Sequence, residues 1–253
     1  MNENEFFPIL MFCFLGIGAS ISVVLFFIPA PYGRHARSGW GPRLNSRWGW
    51  LAMEAPAALL FLLFFFIGDR KTLIPWFFLF IWLSHYFHRA FIYPFTIRSQ
   101  RSMPILVMFL ALFFNVINSY LQARWIFTLA PATSYATEWI TDYRFLTGIG
   151  LFYSGFVITK TSDNILRNLR KTGETGYGIP EKGLFRLVSC PNYLGEIIQW
   201  IGWAAAVWSW PGLVFALWTM FNLVPRARSH HLWYKRTFSR YPAARKALIP
   251  FVY

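Results

Sequence analysis

Residues 49–68 read GWLAMEAPAALLFLLFFFIG, a stretch whose one charged residue is Glu54. A run of about 20 apolar residues has the length of a helix that crosses the hydrocarbon core of a bilayer. Similar runs lie at 7–29, 73–95, 104–127, 145–159, 193–210 and 211–225, and the last two are divided at Pro211. The sequence therefore predicts an all-α integral membrane protein with seven transmembrane helices.

The composition and the placement of charge agree with a membrane protein. Of the 253 residues, 56% are apolar and 13% are charged, and the net charge is +14. Four segments on one predicted side of the membrane, 30–48, 96–103, 160–192 and 226–253, hold four, two, six and seven Lys or Arg residues, whereas the opposite side holds four. Because cytoplasmic loops accumulate Lys and Arg, we expect the N-terminus outside and the C-terminus in the cytoplasm. Membrane topology then accounts for the net positive charge, and no nucleic-acid partner is needed to explain it.

The chain is expected to form a single membrane-embedded domain over residues 1–253. Residues 1–6 contain Glu3 and Glu5 in place of the cations of a signal peptide, so the first apolar run should remain as a helix. Cys13 lies within a predicted span and Cys190 on the predicted cytoplasmic side, so we expect neither a disulfide nor a metal site. The segment 160–192 is interpreted as a cytoplasmic loop and 226–253 as a tail.

Two predicted spans contain ionisable residues, which cost at least a few kcal/mol at membrane depth unless they are paired or face a cavity. Glu54 lies about 10 Å inside the cytoplasmic boundary, and the segment His85-Tyr86-Phe87-His88-Arg89 lies at a similar depth. Tyr86 and Arg89 are three residues apart and share a helix face. Glu54 can therefore face them. One interpretation is an interhelical ion pair of Glu54 with Arg89, and the other is a catalytic site.

The predicted loop is rich in functional residue types. Thr161-Ser162-Asp163 is typical of an N-cap for the basic stretch 164–171. Asn192 and Glu196 are four residues apart at the start of the next predicted helix. They suit the capping of that helix, or they bind a ligand.

The tail adds Arg226, His230 and Tyr234, which a spacing of four places on one helical face. A face for lipid headgroups would account for the arginines but not for the histidine and tyrosine. Loop and tail together predict a cationic cytoplasmic pocket with aromatic surfaces, which suits a phosphorylated cofactor that contains rings.

The chain closely resembles the steroid 5α-reductases (3-oxo-5α-steroid 4-dehydrogenases) along most of its length. The segments concerned are Ser84-His-Tyr-Phe-His-Arg89-Ala-Phe-Ile-Tyr93, Ser162-Asp-Asn-Ile-Leu-Arg-Asn-Leu-Arg-Lys171, Gly183-Leu-Phe185, Asn192-Tyr-Leu-Gly-Glu-Ile197, Trp200-Ile-Gly202 and Arg245-Lys-Ala-Leu-Ile-Pro-Phe251. The Asn-Tyr-Leu-Gly-Glu element also resembles membrane sterol reductases and isoprenylcysteine carboxyl methyltransferases. Among these three families, the His-Tyr-Phe-His-Arg segment favours the steroid 5α-reductases.

The resemblance implies a membrane enzyme that uses NADPH to reduce the 4,5 double bond of 3-oxo-Δ4-steroids similar to testosterone or progesterone. The sequence has no strand followed by a Gly-x-Gly-x-x-Gly turn, so helices and cytoplasmic loops would hold the cofactor in place of a Rossmann domain. On matching positions, Glu54 and Tyr86 would be catalytic and contact the 3-keto oxygen. The cofactor-binding residues would be Arg89, Asp163, Arg170, Tyr177, Asn192, Glu196, Arg226, His230 and Tyr234. The residues that line the steroid cavity would be Trp50, Met53 and Trp200.

The chain differs from the animal members of the family at four positions close to these residues. Met53 replaces a Gln before the catalytic Glu, and Thr159, Gly178 and Gln199 replace an Asn, an Arg and a Glu near the cofactor. These differences alter the keto end and some cofactor contacts, and they leave Glu54 and Tyr86 in place.

Two other functions fit parts of the sequence. A membrane methyltransferase that uses S-adenosylmethionine would explain the Asn192 element and the basic tail, but not an acidic residue opposite Tyr86 within the spans. A sterol- or lipid-binding membrane protein would need no cofactor. Membrane lipid is an expected partner in each case, and no obligate protein partner is evident. The charge distribution fits a bacterial inner membrane or the endoplasmic reticulum.

Overall fold

The computed structural model describes residues 1–97, 102–131, 133–169 and 176–253. These residues are mainly helical, and the sheet among them is one antiparallel pair of short strands. The prediction of an α-helical protein without a Rossmann domain is confirmed for this part of the chain.

The described elements are helices and two short strands. The α-helices are α1 (Glu3–Phe27), α2 (Ser46–Ile67), α3 (Leu73–Phe87), α4 (Tyr93–Thr96), α5 (Ile105–Arg124), α6 (Tyr143–Asn168), α7 (Pro191–Val207) and α8 (Trp210–Thr237), and the strands are β1 (Arg43–Asn45) and β2 (Ser102–Pro104). Two π-helical segments, His88–Ile92 and Trp125–Leu129, follow α3 and α5, and 3-10 turns lie at Gly33–His35, Thr137–Thr141 and Gly183–Arg186.

Three helices in the described ranges are long and apolar enough to cross a bilayer. They are Glu3–Phe27, Ser46–Ile67 and Ile105–Leu129, where the third includes the π-helical turn after α5. The protein is therefore a membrane protein by the length and composition of its helices.

Two boundaries differ from the sequence-based expectation. Thr161, Ser162 and Asp163 lie inside α6, so the predicted N-cap is wrong, and the predicted loop begins as a continuation of a helix. The break near Pro211 falls earlier, at Trp208, which adopts the left-handed conformation with φ 42°. Ser209 then caps α8 by accepting a hydrogen bond from the Gly212 amide, and Pro211 occupies the first turn, where a missing N–H costs nothing.

The described chain forms two compact units, 1–11 with 31–146 and 12–30 with 147–253. In the first unit α2 packs along α5, and aromatic side chains fill the core. The rings of Phe61 and Trp82 stack at 4.5 Å, and Phe127 meets Phe61 edge-on at 5.1 Å. The indole of Trp82 donates a 2.8 Å hydrogen bond to the Ala57 carbonyl, so its polar atom is satisfied inside the apolar core.

In the second unit α6 and α7 approach with their backbones in direct contact. A Cβ added at Gly155 on α6 would collide with the backbone of Gly195 and Gln199, and one added at Gly202 on α7 would collide with the backbone of Phe152. Small residues permit this close approach of helices in membranes, where dispersion contacts replace the hydrophobic drive. The approach fixes the register of α6 against α7 and so places the polar residues at their ends.

Candidate active site

In the first unit, a carboxylate of α2 lies between a cation and an amide. Glu54 is 14% exposed, and its Oε1 lies 3.8 Å from Nε of Arg89, which is 17% exposed. The other oxygen, Oε2, accepts a 3.3 Å hydrogen bond from the Asn115 side chain on α5. The structure thus brings together Glu54 and Arg89, as their similar depth predicts, and supplies an additional partner to the acid.

Asn115 is a residue that sequence reasoning missed. Its amide nitrogen also donates a 2.6 Å hydrogen bond to the carbonyl of Met53, the residue before Glu54, and its side chain is buried. Asn115 therefore holds both the backbone and the carboxylate at this point of α2. The available signal was a polar amide in the middle of an apolar span, since such a group is expensive unless it is hydrogen-bonded.

Arg89 lies in the π-helical segment that follows α3, where the Tyr93 amide bonds the His88 carbonyl. Its guanidinium lies over the rings of Trp50, at 4.5 Å, and Tyr93, at 4.8 Å. Cation–π contacts of this kind stabilise a desolvated guanidinium by up to about 2 kcal/mol. Wide turns of this type are frequent at functional sites. The predicted cavity residue Trp50 thus contacts the same arginine that pairs with Glu54.

Tyr86 is buried on α3 in the same unit. Its side chain is 3% exposed, and its ring lies 4.7 Å from Trp82 and 4.9 Å from His85. The buried Met53 packs with Met103 and Met108 in an apolar cluster against which Trp50 also packs. Methionine adapts its shape to irregular apolar partners. The first unit therefore supplies an acid, a phenol and an arginine among apolar walls.

In the second unit, the first turn of α7 is the centre of a polar cluster. The Asn192 side chain donates a 3.1 Å hydrogen bond to Asp163 on α6, and the backbone carbonyl of Asn192 accepts one of 3.1 Å from the Thr159 hydroxyl. Asn192 is therefore not a helix cap: the N-cap position is Cys190, which forms no side-chain cap. Glu196 lies one turn further along α7 and is partly buried.

Tyr193, which sequence analysis did not select, joins α7 to α8. Its hydroxyl shares a 3.0 Å hydrogen bond with Nε2 of His230 and accepts one of 2.9 Å from Arg226. Arg226 also donates to the Asn222 side chain at 2.9 Å. The predicted common face of Arg226 and His230 is present, because the two residues meet at one phenol.

Three other predicted site residues lie among aromatic neighbours. Tyr234 is 2% exposed and stacks on Tyr241, with ring centres 5.2 Å apart. Tyr177 meets Trp233 edge-on at 5.1 Å. Trp200 is buried and its ring lies 4.2 Å from that of Phe215. The remaining predicted residue, Arg170, lies outside the described residues.

Comparison with known proteins assigns the chain to a family. Residues 101–253 match the family described as 3-oxo-5-alpha-steroid 4-dehydrogenase. The chain is 44% identical to steroid 5-alpha-reductase DET2 of Gossypium hirsutum over 91% of both proteins. It is 42% identical to the Arabidopsis thaliana protein of the same name, over 99% of this chain and 98% of the relative. It is 44% identical to human 3-oxo-5-alpha-steroid 4-dehydrogenase 1, over 88% and 86%. The chain belongs to the steroid 5-alpha-reductase family.

In this member of the family, a further hydrogen-bonded cluster positions the start of α7. Ser189 Oγ lies 2.7 Å from Nδ1 of His231 and 2.5 Å from the Tyr241 hydroxyl. The backbone amides of Ser189 and Cys190 bond the C-terminal carbonyls of Lys246 and Ala247 at 2.8 and 3.1 Å. The C-terminal segment therefore fixes the residues that lead into the polar first turn of α7.

The electrostatic surroundings of this cluster are basic. Burial lowers the pKa of His231 below its ordinary value, and the positive charges of Lys235, Lys246 and Arg245 lower it further. Burial raises the pKa of Tyr241, against the opposing effect of its hydrogen bond with Ser189. A neutral imidazole next to several cations keeps the cluster intact at neutral pH. Within the described residues, no group of three His, Cys, Asp or Glu side chains is placed to hold a metal ion.

Proposed function

We propose that this protein reduces the 4,5 double bond of 3-oxo-Δ4-steroids with NADPH. The observation that supports the proposal best is the Glu54 carboxylate, held within a span by Asn115 and Arg89 in the unit that contains the buried Tyr86. Its relatives are named steroid 5-alpha-reductases and 3-oxo-5-alpha-steroid 4-dehydrogenases. Burying an acid at this depth of a membrane costs free energy, and a role in a reaction at a steroid ketone would account for its presence.

The mechanism assigns separate tasks to the residues of the first unit. When bound, NADPH supplies a hydride to the β-carbon of the enone. Negative charge then develops on the keto oxygen, and donors placed there stabilise the transition state. We assign the Tyr86 hydroxyl and the protonated form of Glu54 as those donors, and protonation of the α-carbon completes the reaction. Asn115 and Arg89 hold the two oxygens of Glu54, and the apolar walls exclude water.

We assign cofactor binding in the second unit to the cluster around the first turn of α7. Arg226 and His230 offer nitrogen donors at the Tyr193 hydroxyl, and Asn192 and Asp163 offer an amide and a carboxylate. A guanidinium fork matches phosphate geometry, and the aromatic rings of Tyr177 and Tyr234 lie near the same end of α8. Glu196, on the next turn of α7, is assigned to the same cofactor site. The donor set therefore fits a dinucleotide that carries several phosphates.

The enzyme should show a strong preference for NADPH over NADH. An arginine that binds the 2′-phosphate would lose its partner in NADH, which costs charge-assisted hydrogen bonds. Steady-state turnover with the two cofactors at matched steroid concentration measures the preference. Equal turnover would remove this role from every arginine of the second unit.

We propose that the chain crosses the membrane seven times, with the N-terminus outside and the cofactor residues facing the cytoplasm. The support is the distribution of Lys and Arg, nineteen on one predicted side and four on the other. A reporter fused at the C-terminus should read as cytoplasmic, and one inserted near Pro211 should read as external. An external C-terminus would contradict both the span count and the orientation.

The decisive experiment incubates the purified protein with testosterone or progesterone and NADPH, followed by mass spectrometry of the products. The expected product is two hydrogens heavier and lacks the 4,5 double bond. Thermal unfolding with NADPH or with S-adenosylmethionine separates the reductase from a methyltransferase, because a ligand that binds the folded state stabilises it. Stabilisation by S-adenosylmethionine together with an unchanged steroid would overturn the proposal.

A further inference from the structure

An apolar groove opens on the surface of the first unit, beside the start of α5. Two short segments line it: Gly39, Trp40, Gly41 and Pro42 on one side, and Ile105, Leu106 and Phe109 on the other. Its volume is about 520 Å³, within the usual range of about 300–1,000 Å³ for ligand sites. None of the residues assigned to the reaction lines it.

The walls of the groove are fixed by backbone contacts. The Ile105 amide donates a 2.9 Å hydrogen bond to the Pro42 carbonyl, and β1 pairs with β2 with Arg43 opposite Pro104. Gly39 and Gly41 adopt φ values of 85° and 74°, a conformation that side chains disfavour. Backbone hydrogen bonds and strand pairing therefore hold the two walls of the groove together.

The rim of the groove is basic. The segment 31–48 contains four arginines and no acidic residue. Arg37 is exposed and its guanidinium lies 5.5 Å from the ring centre of Trp40, which lines the groove. The exposed Arg43 donates hydrogen bonds of 2.8 Å to the side chain and the carbonyl of Ser102. Tryptophan and arginine together are typical of the boundary between hydrocarbon and headgroups, and basic residues there attract anionic lipids.

The floor of the groove continues into an apolar stripe on α5. Leu106 is 49% exposed, Phe109 is 55% exposed and Phe113 is 61% exposed. Residues at these spacings lie on one helix face. The helix that carries them is one of the three candidate spans. An acyl chain could therefore lie along the stripe while a charged headgroup meets the arginines.

We propose that this groove is a binding site for one anionic phospholipid. The phosphate lies at Arg37 and Arg43, and an acyl chain fills the groove against Leu106 and Phe109. A neutral lipid satisfies only the apolar half of the site, so the charge of the headgroup decides occupancy. The inference does not rest on the proposed reaction.

The test uses the full-length protein in nanodiscs of phosphatidylcholine, with and without phosphatidylglycerol. We expect one retained phosphatidylglycerol in native mass spectra and a higher unfolding temperature when that lipid is present. Replacing both Arg37 and Arg43 by Gln should weaken retention about 10-fold or more, since each basic residue near an anionic surface contributes about 1 kcal/mol. The matched control replaces Arg236 and Arg240, two exposed arginines of the second unit, by Gln and should retain the lipid.

A second variant tests the apolar half without altering charge. Leu106→Trp adds bulk at an exposed groove position and should reduce retention while the unfolding temperature in phosphatidylcholine stays the same. Equal loss in the Arg236/Arg240 control would show a general surface effect and overturn the site. Equal retention of phosphatidylcholine, or stoichiometric displacement of the lipid by testosterone, would also overturn it, the second outcome in favour of a steroid entrance.

Discussion

The two candidate sites hold their charged groups in different ways. In the first unit Glu54 and Arg89 lie 3.8 Å apart, and the arginine is covered by the rings of Trp50 and Tyr93. In the second unit Arg226 and His230 meet at the hydroxyl of Tyr193, a neutral group. The first arrangement pairs opposite charges before any ligand arrives, whereas the second gathers nitrogen donors around a phenol.

Each site is therefore suited to a different kind of ligand. The contact with Arg89 offsets part of the cost of burying Glu54, and Glu54 in its protonated form can donate to a neutral ketone. A cluster of donors gains most from an anion such as a phosphate. Under the proposed function, steroid binding and cofactor binding should therefore be separable by mutation, and changes in one unit should leave the ligand of the other largely unaffected.

The largest expected effect is on turnover at Tyr86. Tyr86→Phe keeps the ring and its packing on Trp82 and removes the hydroxyl, so turnover should fall about 10²-fold or more, as for the loss of one oxyanion donor. NADPH binding, measured by thermal shift, should stay the same. Tyr153→Phe on α6 is the matched control and should remain active. If Glu54 and Arg89 form only a structural pair, Tyr86→Phe will be fully active, and Glu54→Gln will lower stability as much as Glu54→Ala.

The next effect is on stability, and it tests whether the second unit depends on close helix contact. Gly155→Ala places a methyl group against the backbone of α7 and should lower the free energy of unfolding by about 1–3 kcal/mol, the usual cost of overpacking. Gly150→Ala on the same helix has no heavy atom within 4 Å and should be neutral or stabilising by up to about 1 kcal/mol. Unfolding temperatures in one detergent compare the pair, and equal values would contradict the packing argument.

A third effect compares two asparagines on α5. Asn115→Leu removes the donor to Met53 and Glu54, and we expect turnover to fall about 10-fold, because small displacements of a reacting group are costly. The amide nitrogen of Asn118 is buried and has no hydrogen-bond partner among the described residues. Its side-chain oxygen accepts a 3.4 Å hydrogen bond from the buried Gln122, so Asn118→Leu should lower the free energy of unfolding by about 1 kcal/mol and leave turnover unchanged. The reverse order of effects would show that Asn115 does not position the acid.

The smallest effect is the pH dependence of the second unit. Because the pKa of His231 is lowered in the folded protein, the unfolded chain binds more protons just below pH 6.5. The contribution of His231 to stability is complete above pH 6.5 and is lost as the pH falls towards its folded pKa. Unfolding temperatures between pH 5.5 and 7.5 should show this slope in the wild type, and His231→Asn should flatten it. An unchanged slope would assign the dependence to other groups.

The sequence predicted those parts of the sites that depend on spacing along one helix or on depth in the membrane. Glu54 meets Arg89 because both lie at similar depths, and Arg226 lies near His230 because four residues make about one turn. Asn115, Tyr193 and Ser189 were missed because their partners come from distant helices or from the C-terminal segment. No local pattern marks such contacts.

The N-cap prediction at Asp163 failed for a related reason. Short polar residues favour helix starts when their side chains bond the local backbone. Here the Asp163 carboxylate accepts its hydrogen bond from Asn192 on another helix, so α6 continues through this position. The burial of Tyr234 was likewise hidden, since Tyr241, on which it stacks, lies beyond the end of α8.

The π-helical segment His88–Ile92 makes the length of the chain between Tyr86 and Tyr93 a functional quantity. A π turn bonds residues five apart, so it holds one residue more than the α-helical turn it replaces. Because the turn already absorbs that residue, deleting one residue restores α-helical bonding with little rotation, whereas an insertion that the turn does not absorb rotates everything that follows by about 100°. An insertion between Arg89 and Tyr93 would turn the tyrosine away from the arginine it covers, although no side chain of the site had been altered. Insertions in this five-residue window should thus be far rarer among active variants than substitutions.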